Sequence, residues 1–171
     1  MSVCRGGNVK LVKNEKNNGG AVTLHDGICY AQENGYRYVL TLDQDSILQD
    51  GAVNEFKKIF AMDEKIALCG ANVNGTMKCL HGNALITSGT MADVEKVLGC
   101  GNYDRKLFID LVDYDICSKV LRGGYKLTLC QNVKLIHNFG EQQKRKCFGR
   151  KIFIFGYSPQ RIFLWQEIVR Y

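Results

Sequence analysis

The sequence is short of the features that would take it out of the ordinary globular class. It holds one proline, Pro159, in 171 residues. It has no internal repeat and no long linker, so a single folded unit is expected. No stretch approaches the roughly 20 apolar residues that cross a bilayer, so no membrane-spanning helix is expected. Met1–Lys10 is polar and glycine-bearing, so no export signal is expected either. None of the eight cysteines (Cys4, Cys29, Cys69, Cys79, Cys100, Cys117, Cys130, Cys147) stands in a C-x-x-C pair, which argues against a zinc site. Scattered and partly inside apolar runs, they read as reduced thiols of a cytoplasmic protein, mostly small core residues.

What is present is a chain that is 46% apolar and 23% charged, the balance of a soluble globular domain. A chain of this length can bury roughly 70% of the surface its unfolded form exposes. The net charge is +6, and the surplus gathers late, at Lys144, Arg145, Lys146, Arg150 and Lys151. Such a run suits phosphates or an anionic membrane surface, and equally a solvated basic loop. No RNA-binding aromatic signature accompanies it, so nucleic acid is not an expected partner.

Along the chain, Val9–Val12 reads as a short strand and Asn14–Gly20 as a polar turn. Leu24, Ile28 and Ala31 then share one helical face, closed by Gly35. Arg37–Leu42 is a β-rich run ending at Asp43. Asp50 is placed to cap a helix carrying Val53, Phe56, Ile59 and Phe60 inward. Ile66–Cys69, Ala84–Thr87, Leu127–Leu129 and Val133–Ile136 read as strands. Helices are expected from Asp93 to Leu98 and from about Asp113 to Gly123-Gly124. Ile162, Trp165, Ile168 and Val169 give a final amphipathic helix from Ser158. Helix, apolar strand and acidic loop in succession are the grammar of an α/β sheet.

Three clusters carry chemistry. In Leu40-Thr41-Leu42-Asp43-Gln44-Asp45-Ser46, apolar residues bring a strand to the sheet edge, and two carboxylates follow one residue apart. Residues i and i+2 of an extended segment point the same way, so Asp43 and Asp45 can face one ligand. Paired like charges invite a hard divalent cation, although a bare D-x-D also fits a solvated acidic turn. In Phe108-Ile109-Asp110-Leu111-Val112-Asp113-Tyr114-Asp115-Ile116-Cys117, three acids alternate with apolar residues at a helix start. The helix dipole favours acids there, and a carboxylate in a partly apolar niche is also what a general base needs. His137 follows an apolar strand, where it can ligate a metal, touch a phosphate or serve the structure alone.

In order, Asn17-Asn18-Gly19-Gly20-Ala21…Gly27-Ile28, Leu42–Ser46, Ile86-Thr87-Ser88-Gly89, Phe108–Cys117 and Ile136-His137-Asn138-Phe139-Gly140 resemble the family-2 inverting glycosyltransferases, most closely their rhamnosyltransferase-like branch. The D-Q-D-S and F-I-D-x-V-D-x-D runs are the branch-specific parts, and the order agrees from Asn17 to Gly140. Tyr157-Ser158-Pro159-Gln160-Arg161 is similar to the start of the branch's C-terminal helical segment. The resemblance implies a GT-A-like α/β fold with a mixed, mostly parallel sheet flanked by helices. Residues 1–140 would be a partial GT-A domain, and 141–171 a basic loop and C-terminal amphipathic helix. It implies Asp43, Asp45 and His137 as ligands of a divalent metal, Mg or Mn, and Asp113 as catalytic base. Ser88, Gly89, Asp110 and Asp115 would contact donor or acceptor. The donor implied is a dTDP- or UDP-sugar, with dTDP-rhamnose the branch's namesake. The acceptor implied is a glycan or lipid-linked glycan, made in the cytoplasm or at the inner face of the membrane.

The chain departs from the family in lacking its two opening nucleoside-contacting strands, in carrying His25 where asparagine is common, and in stopping early at Tyr171. The lost strands bring in a second reading, an inactive remnant or partner module that keeps the fold. A third is a phosphatase of the haloacid dehalogenase type, which also places D-x-D after an apolar strand. Ile47 stands where that family has threonine or valine, and Lys106 is its one candidate lysine.

Overall fold

The computed structural model describes residues 9, 11–75 and 84–137, and the backbone of 142–147 and 150–155. Four α-helices are described: α1 (Gly20–Glu33), α2 (Ala52–Met62), α3 (Val94–Gly99) and α4 (Val112–Arg122). A mixed sheet contains β1 (Tyr38–Thr41), β2 (Ser46–Leu48), β3 (Ile66–Val73), β4 (Thr90–Asp93) and β5 (Lys126–His137). Its strand order is β1-β4-β3-β5-β2. A separate antiparallel pair joins β6 (Gln142–Cys147) to β7 (Arg150–Phe155).

Helices cover both faces of the five-stranded sheet. Ile28 and Ala31 of α1, Val94 and Val97 of α3, and Ile116 and Val120 of α4 share one buried cluster with Ala67 and Leu68 of β3. On the other face, Phe56 and Phe60 of α2 meet Cys69, Ala71 and Val73 of β3, with Val133 and Leu135 of β5. Phe56 is fully buried, a change worth about 1.5–3 kcal/mol for a side chain of that kind.

The sheet is mixed, as expected, but it is not mostly parallel. Among the described pairings only β3 with β5 is parallel; β1–β4, β3–β4 and β2–β5 are antiparallel. Every residue of β3 is buried. A continuous buried run is the usual mark of a parallel strand. Here it reports helices on both faces and carries no information on strand direction.

Other expectations shift locally. Val9, Leu11 and Val12 are exposed and outside any strand. Gly51, with φ 75, occupies the N-cap of α2 in place of Asp50. Ala52 is buried at the start of that helix, while Val53 faces solvent. Ala84–Thr87 is not a strand beyond a single bridge at Ala84; the pairing strand begins after it, at Thr90. The two strands expected over Leu127–Ile136 are one strand, β5, with an irregularity opposite Ala71 and Asn72. Ser46–Leu48 adds a strand that no apolar run announced. The helix expected from Ser158 lies outside the described residues. No described helix is long and apolar enough to cross a membrane.

Candidate functional site

The site forms where β1 and β5 end on the same side of the sheet. Past β1, Asp43 and Gln44-Asp45 make a turn closed by a hydrogen bond from Ser46 N–H to Asp43 O (3.1 Å). β2 then pairs antiparallel with the end of β5, and the register sets Ser46 opposite His137. That pairing carries a histidine ninety-one residues downstream of Ser46 to the acidic turn. One ligand atom each of Asp43, Asp45 and His137 lies within 4.8 Å of the others. His137 Nδ1 is 3.6 Å from Asp45 Oδ1.

The turn Thr87-Ser88-Gly89 forms the floor. Gly89 N–H donates to Thr41 O (2.7 Å), and Gly89 O accepts from Ala71 N–H (2.9 Å). The turn is thereby held against both β1 and β3. Gly89 has φ 75, and a Cβ there would stand 2.7 Å from a Leu135 methyl, so the position suits glycine alone. Ser88 is buried, and its Oγ accepts from Asp43 N–H (3.0 Å) and lies 2.7 Å from Ser46 Oγ.

Asp113 sits in the first turn of α4 with Asp115. Its Oδ1 accepts from Thr87 N–H (2.6 Å) and also from the Thr87 hydroxyl. Burial pushes the Asp113 carboxyl above the usual carboxylate range. The two Thr87 hydrogen bonds oppose that shift, the Asp43 charge adds to it, and His137 opposes it. Asp43 and His137 are thus near enough for their charges to bear on Asp113. A carboxylate raised by desolvation, with one oxygen clamped, has the character of a general base.

The segment leading into α4 is conformationally unusual. Phe108 and Leu111 both have positive φ (51 and 64), which costs roughly 1–3 kcal/mol for such residues. Phe108 O accepts the N–H of Ala21 (2.9 Å), tying the segment to the start of α1. Gly19 lies against Phe108 so closely that a Cβ would collide with that carbonyl. Asp110 is half-buried within this turn.

The structure therefore brings Asp43, Asp45, Ser88, Gly89, Asp113 and His137 together. Asp115 is engaged elsewhere: Lys119 Nζ lies 2.7 Å from its Oδ2 and donates to Asn102 O (3.0 Å). Two residues that sequence reasoning did not select, Thr87 and Ser46, contact Asp113 and His137. Their hydroxyls carry no spacing signal; their places inside the quoted I-T-S-G and D-Q-D-S runs were the available hint. Two carboxylates and an imidazole suit Mn²⁺, and the carboxylates suit Mg²⁺. Opposed ligands of such an ion stand about 4.2 Å apart, so a set spanning at most 4.8 Å fits with small side-chain adjustments.

No protein-family model matches the chain. It is similar to the dTDP-rhamnosyl transferase RfbF of Shigella flexneri, with 29% identity over 167 aligned residues. The match covers 81% of this chain and 55% of that protein, so the chain spans about half the length of this curated relative. The similarity supports a relationship to glycosyltransferases.

Proposed function

We propose that this chain carries the metal-binding and catalytic-base part of an inverting glycosyltransferase of the GT-A, family-2 type. Its donor is a nucleoside-diphosphate sugar, dTDP- or UDP-linked, with rhamnose the first sugar to test. The observation that carries the reading is Asp113, clamped by Thr87 and electrostatically coupled to Asp43 and His137.

The chemistry follows from that arrangement. Asp113 accepts the proton of an acceptor hydroxyl. The acceptor oxygen forms a bond to the anomeric carbon from the face opposite the nucleotide. The bond from that carbon to the diphosphate oxygen breaks, and its electron pair leaves with the diphosphate. The anomeric centre is inverted through an oxocarbenium-like transition state of the kind known from glycoside hydrolysis. A divalent cation held by Asp43, Asp45 and His137 would supply charge stabilisation to the leaving diphosphate. Ser88 orders the metal-side turn through Asp43 N–H, and Gly89 lets the Thr87-Ser88-Gly89 turn approach β5. Asp110 contacts the sugar in this reading.

The acceptor is a glycan or lipid-linked glycan. The β6–β7 pair gives a means of reaching it. Its register sets Lys146 opposite Lys151 and Cys147 opposite Arg150, with Lys144 and Arg145 on the next rungs. Five cations stand on paired strands with no acid among them, a charge arrangement that suits an anionic membrane surface.

The test is calorimetric titration of the purified chain with dTDP and UDP, each with and without Mn²⁺, beside Asp45→Ala. Metal-dependent binding that the variant loses supports the reading. No binding of either nucleotide by a folded chain overturns it.

A further inference from the structure

β3 and β5 run parallel up to Val73 and Leu135; there β3 stops, while β5 goes on to His137. Asn74 turns the chain away from the sheet. It and Gly75 have positive φ (50 and 69), conformations that an Asn-Gly step adopts at low cost. The N–H of Asn74 still reaches β5 and donates to Leu135 O (2.8 Å). In a regular parallel pair, the residue that donates there would offer its own main-chain carbonyl to the N–H of His137. Here that N–H donates to the side chain instead, at Asn74 Oδ1 (3.1 Å). Asn74 Nδ2 in turn donates to His137 O (3.0 Å). One side-chain amide thus continues the ladder past the end of its strand.

The turn by itself does not call for that amide. Glycine accepts a φ of 50 as readily as asparagine, so the backbone conformation leaves the two side-chain bonds unaccounted for. What they hold is the last residue of β5. On one side of that residue, β2 sets Ser46 opposite His137. On the other, beyond the end of β3, Asn74 takes both the N–H and the carbonyl of His137. Strand ends open easily, and this one carries a side chain with little latitude. One ligand atom each of Asp43, Asp45 and His137 lies within 4.8 Å of the others, and His137 Nδ1 is 3.6 Å from Asp45 Oδ1. A shift of the His137 backbone moves the imidazole against the acids.

We infer that Asn74 is a positioning residue of the metal site: its side-chain amide, by bonding both backbone groups of His137, sets the imidazole beside Asp43 and Asp45. Loss of a group that orients a metal ligand costs about 10–100-fold in metal affinity. This inference rests on the metal-site reading of Asp43, Asp45 and His137. Gln49 supplies the comparison. It makes two similar side-chain bonds to β5, donating to Asn132 O (2.7 Å) and accepting from Lys134 N–H (3.0 Å), but none of them to His137.

The experiment uses the full chain, with Asn74→Gly and Gln49→Ala beside the wild type. Mn²⁺ affinity is measured by titration, and hydrogen exchange of the His137 backbone amide is followed by NMR on the metal-free chain. Asn74→Gly keeps the left-handed turn and deletes the amide. It should lose the protection of the His137 amide and bind Mn²⁺ about tenfold or more weakly. Gln49→Ala should leave Mn²⁺ affinity unchanged. A wild type that binds Mn²⁺ and an Asn74→Gly variant that matches it would overturn this inference alone. So would equal weakening in both variants, which is the mark of a general loosening of β5. A folded wild type that does not bind Mn²⁺ would overturn the metal-site reading, and the inference with it. The wild-type exchange needs no variant: a His137 amide that exchanges freely in the folded chain is likewise decisive against the inference.

Discussion

Thr87 grips Asp113 twice: its backbone N–H (2.6 Å) and its hydroxyl both donate to the same carboxylate oxygen, Oδ1. Twenty-six residues separate them in sequence. The double contact orients the carboxylate, and burial raises that carboxylate's affinity for a proton.

Removing the hydroxyl tests that grip. Thr87→Val keeps the shape and the backbone bond and deletes one of the contacts that favour the charged form. The Asp113 carboxyl should move further up. The acid limb of the pH–rate profile should shift to higher pH than in the wild type, with a smaller loss at high pH. The profile of kcat/KM against pH checks this; an unmoved acid limb counts against Asp113 as the base.

Asp113→Asn separates activity from stability. Transfer should fall by about 10²–10⁴-fold. Stability at neutral pH should hold or rise. The sign follows from the raised carboxyl: between the ordinary value of 3.8 and its elevated folded value, the folded state binds more protons than the unfolded state. The wild type therefore loses stability as pH rises through that window, and the asparagine variant does not. Melting curves from pH 4 to pH 8, about the span of carboxylate and histidine titration, should show the variant gaining on the wild type as pH rises.

Gly89→Ala should destabilise the chain by about 1–3 kcal/mol through the left-handed backbone and the Leu135 contact. Urea unfolding measures this. The double variant Gly89→Ala, Leu135→Ala should relieve the collision but not the backbone cost, so it separates the two causes.

The basic strands should bind vesicles rich in anionic phospholipid and ignore neutral ones. At about 1 kcal/mol per basic residue, Lys144→Gln with Lys146→Gln should weaken binding roughly twenty-fold or more. Cosedimentation at low and high salt reads the effect, and added salt should weaken the wild type in the same direction. Equal binding to neutral vesicles would remove the membrane from the proposed function.

Much of the site was legible because its residues announce themselves locally. Two acids just past an apolar strand, three acids at a helix start and a histidine at a strand end are patterns of a few residues each. The faces of α1 and α4 were equally local, since a period of 3.6 residues is written in the chain itself. Asp50 was misplaced as a cap because Gly51 takes the left-handed turn that closes the approach to α2.

Composition and spacing thus determined by themselves an α/β chain, its helical faces and the acids it would present at strand and helix ends. They could not determine which ends meet. Apolar runs report burial and not direction, so the antiparallel neighbours of the sheet were not written in them. Only the tertiary structure set Ser46 against His137 through the β2–β5 register, and Thr87 against Asp113 through the turn held between β1 and β3. The physical reason is the same in both cases: a hydroxyl has no periodicity to betray it, and its partner is chosen by whichever backbone the packed sheet brings within hydrogen-bonding distance.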